Sequence, residues 1–290
     1  MTEKLANLSW QSVLLIVAAL FVARFVLLKQ GSPFAKSIAE VAESLGIAMA
    51  LVFFIIRPFL VQAFFIPSES MVPTFLIHDH ILVNKLGYRF FEPKPGDVVV
   101  FLAPPESDQL WGEEKDYIKR LIALPGDTVE VRPGTFKVDG REQRRDVIET
   151  MVSTPDLLGR QNVSLKYLKD GVLLEGKKIS KEELAKKFEA KPEQIEITPG
   201  QTLVNGKVRD EPYIAEDPDY ELSAKSPAPK MIPQEDGTLK VPEGHFFVLG
   251  DNRNNSNDSH IWGPFEKSRM IGKAMFKFWP PGRWGPVHSR

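Results

Sequence analysis

Tyr117-Ile-Lys-Arg-Leu-Ile-Ala-Leu-Pro-Gly-Asp127 carries a pattern that decides the fold class. Strand alternation puts Tyr117, Lys119, Leu121 and Ala123 on one face and Ile118, Arg120, Ile122 and Leu124 on the other. Each face is apolar except for one cation. A half-solvated strand would be polar along one whole face, so the spacing predicts a strand covered on both sides and ended by a Pro-Gly turn. Burial of the Lys119 face would disfavour the ammonium form. Bringing a lysine from about 10.4 to near neutrality takes roughly 4 kcal/mol, which a buried site can supply. Arg120 could not take that role, because a guanidinium does not deprotonate in proteins.

Outward from this segment, short Val/Ile/Phe/Tyr-rich runs recur at His80 to Asn84, Asp97 to Leu102, Thr128 to Arg132, His245 to Leu249 and Met270 to Trp279. Many of the 23 prolines and 20 glycines separate them. The pattern is mainly β, an antiparallel β-sheet domain rather than alternating βαβ units. Ser180-Lys-Glu-Glu183 reads as a capping box and predicts a helix near 180–188. Glu130-Val-Arg-Pro-Gly134 followed by Val138-Asp-Gly140 is echoed by Glu196-Ile-Thr-Pro-Gly200 followed by Val204-Asn-Gly206. Each copy reads as strand, turn, strand and hairpin turn, a duplication or a coincidence of common turn residues. Residues 133–243 are expected to form a β-rich lobe inserted between the catalytic segments 58–132 and 244–290, with 141–195 its least determined part.

Charge divides the chain differently. Its 37 Lys and Arg against 38 Asp and Glu leave no basic excess for phosphate neutralisation, which argues against a nucleic-acid partner. The lack of cysteine excludes disulfides and thiolate chemistry. Residues 1–66 carry eight charges, five basic and three acidic, while the rest hold 32 basic and 35 acidic. A membrane anchor over 1–57 is expected, with transmembrane spans at about 11–28 and 38–56. A cleaved signal peptide fits the first run less well, since no Ala-x-Ala site closes it. Lys29 and Lys36, with Arg24 close by, lie in or near the connecting loop, against Lys4 and Arg57 on the other side. The positive-inside rule then puts the loop in the cytoplasm and the large domain outside.

Two further segments carry chemistry. Ile66-Pro-Ser-Glu-Ser-Met-Val-Pro-Thr74 follows the anchor and holds two serines between backbone-restricting prolines. A serine needs a base and oxyanion donors to act as a nucleophile. Gly250-Asp-Asn-Arg-Asn-Asn-Ser-Asn-Asp-Ser-His-Ile-Trp-Gly263 is not an EF-hand, since Ser256 occupies the glycine position and Trp262 the closing acidic one. Such a loop can organise a site through side-chain to backbone hydrogen bonds.

These segments, with Gly96-Asp-Val-Val-Val-Phe101 between the first and second, resemble in order and spacing the signature boxes of the bacterial type I signal peptidase (leader peptidase) family of membrane-bound Ser/Lys serine endopeptidases. The resemblance spans about 38–128 and 198–284. It implies a signal-peptidase-like fold, with Ser70 as nucleophile and Lys119 as general base. It also implies an oxyanion hole of Ser68 and the Ser70 N–H, with Ser256 orienting the lysine and Asp251, Arg253 and Asp258 bracing the site. Phe64, Ile66, Met71, Tyr117 and Ile118 fall where the family lines its substrate pockets. The implied substrates are exported preproteins with small residues before the cut, bound as an extended strand. The implied setting is the cytoplasmic membrane, next to the export machinery, with the catalytic domain on the extracytoplasmic side and no metal or cofactor. His260 stands where many members carry arginine, Asn254 replaces a frequent aspartate and Glu69 a frequent glycine. Two other readings stay open: a Ser-His-Asp hydrolase using Ser70 or Ser256 with His260 and Asp258, and a non-enzymatic membrane-tethered β protein. His78-Asp-His80 lacks a third ligand for a metal site.

Overall fold

The computed structural model describes residues 9–107, 115–153 and 163–288. Helix α1 (Trp10–Leu28) is capped by the Ser9 hydroxyl, which accepts from Ser12 N–H. Helix α2 (Pro33–Leu51) begins with Pro33 in its first turn and is capped by Ser32, accepting from Ala35 N–H. Both arrangements satisfy backbone donors that a helix start leaves orphaned. By length and composition, Trp10–Leu28 and Pro33–Ile56 can each cross a bilayer. Two of the charged residues that interrupt these runs pair with each other: Arg24 Nε lies 2.9 Å from Glu43 Oε2 across the hairpin. Beside them Gly46 lets the Phe21 ring approach, since a Cβ there would lie 3.2 Å from it. The helix continues beyond the expected end at Ile56 as a π-helical segment, Val52–Leu60, which contains Arg57-Pro58.

The chain then enters β1 (Val61–Phe65) without a linker, followed by β2 (His80–Asn84), β3 (Val98–Leu102) and β4 (Asp116–Ala123). The lobe strands are β5 (Thr128–Arg132), β6 (Thr135–Val138), β7 (Arg141–Glu142), β8 (Leu165–Leu168), β9 (Gly171–Leu174), β10 (Lys177–Ser180), β11 (Ile195–Thr198), β12 (Gln201–Val204), β13 (Lys207–Val208), β14 (Ile232–Pro233) and β15 (Leu239–Lys240). The chain closes with β16 (His245–Leu249), β17 (Phe265–Glu266), β18 (Met270–Trp279) and β19 (Gly285–Pro286). The main antiparallel sheet has the order β1-β2-β18-β3-β4-β16-β17, with β19 pairing β18. Both faces of β4 are covered, as its alternation predicts. Leu121 packs with Val99, Phe101, Trp262 and Phe265 on one side. Ile118 packs against Met71, Phe75, Val98 and Val100 on the other.

Strand β5, expected at the end of the segment 58–132, instead pairs with β12 and β15 of 133–243 and not with the main sheet, so it is grouped with the lobe. The sequence echo is a structural exchange: β5 of the first copy pairs with β12 of the second, and β6 with β11. The two Pro-Gly turns meet, so that a Cβ at Gly200 would lie 3.0 Å from Gly134 N. The hairpin turns Asp139-Gly140 and Asn205-Gly206 share φ values of 52° and 71°, the left-handed pair that a type I′ turn needs. The capping box at Ser180 and Glu183 forms and starts the helix Lys181–Lys187. Within 141–195, the strands β8 to β10 and the helices Arg145–Val152 and Lys181–Lys187 enclose a core of Phe136, Ile148, Leu165, Val172, Leu184 and Ile195.

Candidate active site

The turn after β1 brings Ser70 over the middle of β4. Lys119 Nζ donates to Ser70 Oγ at 2.8 Å and to the Ile118 carbonyl at 3.0 Å. Ser68 Oγ lies 3.3 Å from Ser70 Oγ. Lys119 is 5% exposed and Ser70 7%. Burial pulls the Lys119 amine down to about 8, against the opposing charges of Asp258 and Asp251. Desolvation prevails because the ammonium loses its water and gains no carboxylate within ion-pair distance.

The second cation of β4 is accounted for separately. Arg120, 1% exposed, grips Asp251 with Nε on Oδ1 at 2.8 Å and Nη2 on Oδ2 at 2.7 Å. Its Nη1 donates to the Gly96 carbonyl at 2.8 Å, and the Tyr213 ring lies 3.8 Å from the guanidinium. Thr74, from the nucleophile loop, donates to the same Asp251 carboxylate. Arg253 forms a second buried fork on Glu211, both contacts at 2.7 Å, and reaches Thr202 Oγ1 at 2.8 Å. These paired forks satisfy the buried charges and fix the 250–263 loop against both β4 and the lobe.

That loop closes over the dyad. Asn252 N–H donates to the Ser70 carbonyl at 3.1 Å, and its side chain donates to the Glu69 carbonyl at 3.1 Å. Asp258 is fully buried and takes Gly250 N–H on Oδ2 at 2.8 Å and His260 Nδ1 on Oδ1 at 2.7 Å. Burial opposes its ionisation, yet the His260 and Gly250 hydrogen bonds hold it below the usual carboxylate range. Gly250 is where backbone and side chains converge: a Cβ there would sit 2.2 Å from Ser256 Oγ and 2.5 Å from the Ser70 carbonyl oxygen.

Ser68, Ser70, Tyr117, Ile118, Lys119, Ser256 and His260 line one cleft of about 730 Å³. Asp251, Arg253 and Asp258 lie buried around it. Two groups are placed differently from the sequence expectation. Ser256 Oγ is buried near Asp258 but makes no hydrogen bond of ordinary geometry, and the Ile118 carbonyl rather than Ser256 receives the lysine amine. Ile66 and Met71 are buried in the cluster of Phe75 and Ile81, with Phe64 packed against it, under the cleft instead of along its wall. The sequence reading passed over Arg120 as a structural anchor, and Glu211, Thr202, Tyr213 and Tyr220 in the lobe. Only the unexplained cation of β4 signalled the first, and no spacing signalled the others. Asp79 of the His78-Asp-His80 motif is engaged by Arg283 at 2.9 Å.

A sequence profile described as signal peptidase, peptidase S26, matches residues 38–184 and 169–279. The chain belongs to the signal peptidase family, peptidase S26. Among curated S26 relatives, a probable signal peptidase I-1 of Synechocystis is 32% identical over 264 residues, covering 90% of this chain and 93% of the relative. The signal peptidase I of Aquifex aeolicus is 33% identical, covering 81% and 82%. That of Leptolyngbya laminosa is 30% identical, covering 89% and 86%. Membership makes this chain a serine endopeptidase, and its two apolar N-terminal helices fit membrane association.

Proposed function

We propose that the protein removes N-terminal signal peptides from exported preproteins, with Ser70 as nucleophile and Lys119 as general base. The observation that carries this reading is the 2.8 Å contact between Lys119 Nζ and Ser70 Oγ in a buried setting. In the working state the neutral amine accepts the Ser70 proton as Oγ attacks the scissile carbonyl. In this reading the Ser68 hydroxyl, 3.3 Å from Ser70 Oγ, and the Ser70 N–H stabilise the resulting oxyanion. Lys119 then returns its proton to the departing amine, leaving an acyl-enzyme and a free mature N-terminus. Water, deprotonated by the same lysine, hydrolyses the ester and restores Ser70.

The sheet leaves room for a substrate strand. Strand β16 pairs with β4 only from Arg120 onward, so the edge at Asp116–Lys119 facing away from β3 has no strand partner among the described residues. An extended preprotein can add there by backbone hydrogen bonds, with Tyr117 and Ile118 beside it. Because β1 leaves the anchor directly, the reaction takes place close to the bilayer. Lys29 and Lys36 favour a cytoplasmic loop and an extracytoplasmic catalytic domain, at the inner membrane beside the export machinery.

The test is cleavage of a purified preprotein in liposomes by wild type, Ser70→Ala, Lys119→Ala and His260→Ala, with folding measured in parallel. Loss of turnover in the first two variants and its retention in His260→Ala supports the dyad. An active Lys119→Ala with a dead His260→Ala transfers the chemistry to a Ser-His-Asp arrangement.

A further inference from the structure

Outside the dyad, the cleft contains one imidazole in an unusual setting. His260 is the second residue of the short helix Ser259–Trp262, capped by Asp258. Its ring stacks on Tyr220 with centroids 4.1 Å apart and planes 10° from parallel. Its Nδ1 sits 2.7 Å from Asp258 Oδ1, and its backbone N–H donates to the same oxygen at 3.1 Å. The ring is therefore fixed in plane by Tyr220 and in direction by Asp258. Its side chain is 18% exposed, and it lines the cleft.

Asp258 in turn lies against the seat of the dyad: its Oδ2 accepts Gly250 N–H at 2.8 Å and Gly250 abuts the Ser70 carbonyl, so its buried charge, with that of Asp251, opposes the downward pull of burial on the Lys119 amine. Asp251 is neutralised permanently by the Arg120 fork. Among the described residues the cationic partner of Asp258 is His260, not a guanidinium, and an imidazole is the side chain whose charge changes near neutral pH.

We propose that His260 is a positioning residue that sets the pH range of the reaction, by controlling how much negative field Asp258 presents to the Lys119 amine. A protonated ring compensates Asp258 and lets the lysine lose its proton more readily; a neutral ring leaves the carboxylate to hold that proton. The inference rests on the reading of Lys119 as general base.

The other charged and titratable neighbours do not supply this dependence. Glu69, Lys115, Asp116 and Tyr117 share the cleft with His260 and Lys119, and Asp219, Glu211 and Arg253 act on Tyr220 behind the ring. Carboxylates, guanidinium groups, solvated ammonium groups and phenols as classes keep one charge between about pH 6 and 9. The Tyr220 phenol, half-buried against the lobe core, is pushed further up by desolvation.

The test is the pH profile of kcat/KM for preprotein cleavage by the full chain in liposomes, for wild type, His260→Arg and His260→Gln. Arginine provides a cation at every pH, and glutamine a neutral donor at every pH. The acid limb should fall at the lowest pH in His260→Arg and the highest in His260→Gln. A displacement of about half a unit gives the arginine variant about three-fold more of its plateau activity at pH 7 than wild type. A partly unfolded variant loses amplitude but keeps its midpoint, so misfolding does not imitate the effect. Coincident midpoints, or the reverse order, overturn the proposal. Lys119→Ala is included as a separate arm: if it retains turnover, the dyad reading itself fails, whereas coincident His260 profiles with a dead Lys119→Ala remove only this inference.

Discussion

Gly250→Ala is a one-methyl perturbation whose consequence follows from contact distances. The new Cβ would lie 2.2 Å from Ser256 Oγ, 2.5 Å from Ser256 Cβ and 2.5 Å from the Ser70 carbonyl oxygen. Unbonded neighbours need well over 3 Å, so about 1 Å must be opened. The Ser256 side chain is buried and the Ser70 carbonyl is held by Asn252 N–H, and neither can rotate away freely. On one side the displacement therefore falls on the nucleophile. Overpacking of this kind costs about 1–3 kcal/mol in stability, which a folded domain tolerates, but a misplacement of about 1 Å at the reacting atoms costs about 100-fold in rate. Single-turnover cleavage of a preprotein, with thermal unfolding of the same sample, should show a folded protein whose chemical step is about 100-fold slower. Wild-type single-turnover rates in Gly250→Ala would refute the argument that the loop and the nucleophile share one tightly packed seat.

Three other outcomes follow. Arg120→Met leaves Asp251 buried without its partner, a loss of about 3–5 kcal/mol, and the melting temperature should fall by on the order of 10 °C. In the anchor, Glu43→Leu or Arg24→Leu alone strands an ion in the apolar hairpin, so each should lower thermal resistance in detergent, while the double variant recovers most of it. Protease added to sealed inside-out membrane vesicles should spare the large domain and digest it once the vesicles are opened; digestion in intact inside-out vesicles contradicts the orientation.

The β-sheet part of the fold was legible because its determinants are local. The strands at His80, Thr128, His245 and Met270 match the runs of β-branched and aromatic residues to the residue, and the capping box marked its helix. The two cations of β4 pointed to a doubly covered strand, and one resemblance connected Lys119 with Ser70. Other features depend on contacts between distant segments that leave no trace in spacing. Glu211 lies 42 positions before Arg253 and pairs with it only because the lobe folds back on the loop. The exchange of strands between the two Pro-Gly copies was hidden in the same way, since sequence displays an echo but not which strand takes which partner. Ser256 was assigned to the lysine by resemblance, and its hydroxyl instead lies buried near Asp258.

The central claim is that a neutral lysine activates Ser70, and the pH dependence of wild-type kcat/KM measures it most directly. Moving the amine from 10.5 to about 8 raises its neutral fraction at pH 7 about 300-fold. The folded value is lowered and the neutral form is the active one, so activity should rise with pH through about 8 and level off above it. Below that point it should fall by up to about ten-fold for each pH unit. A profile that stays flat down to pH 6 would contradict the account, because a base that is still effective there is not this lysine.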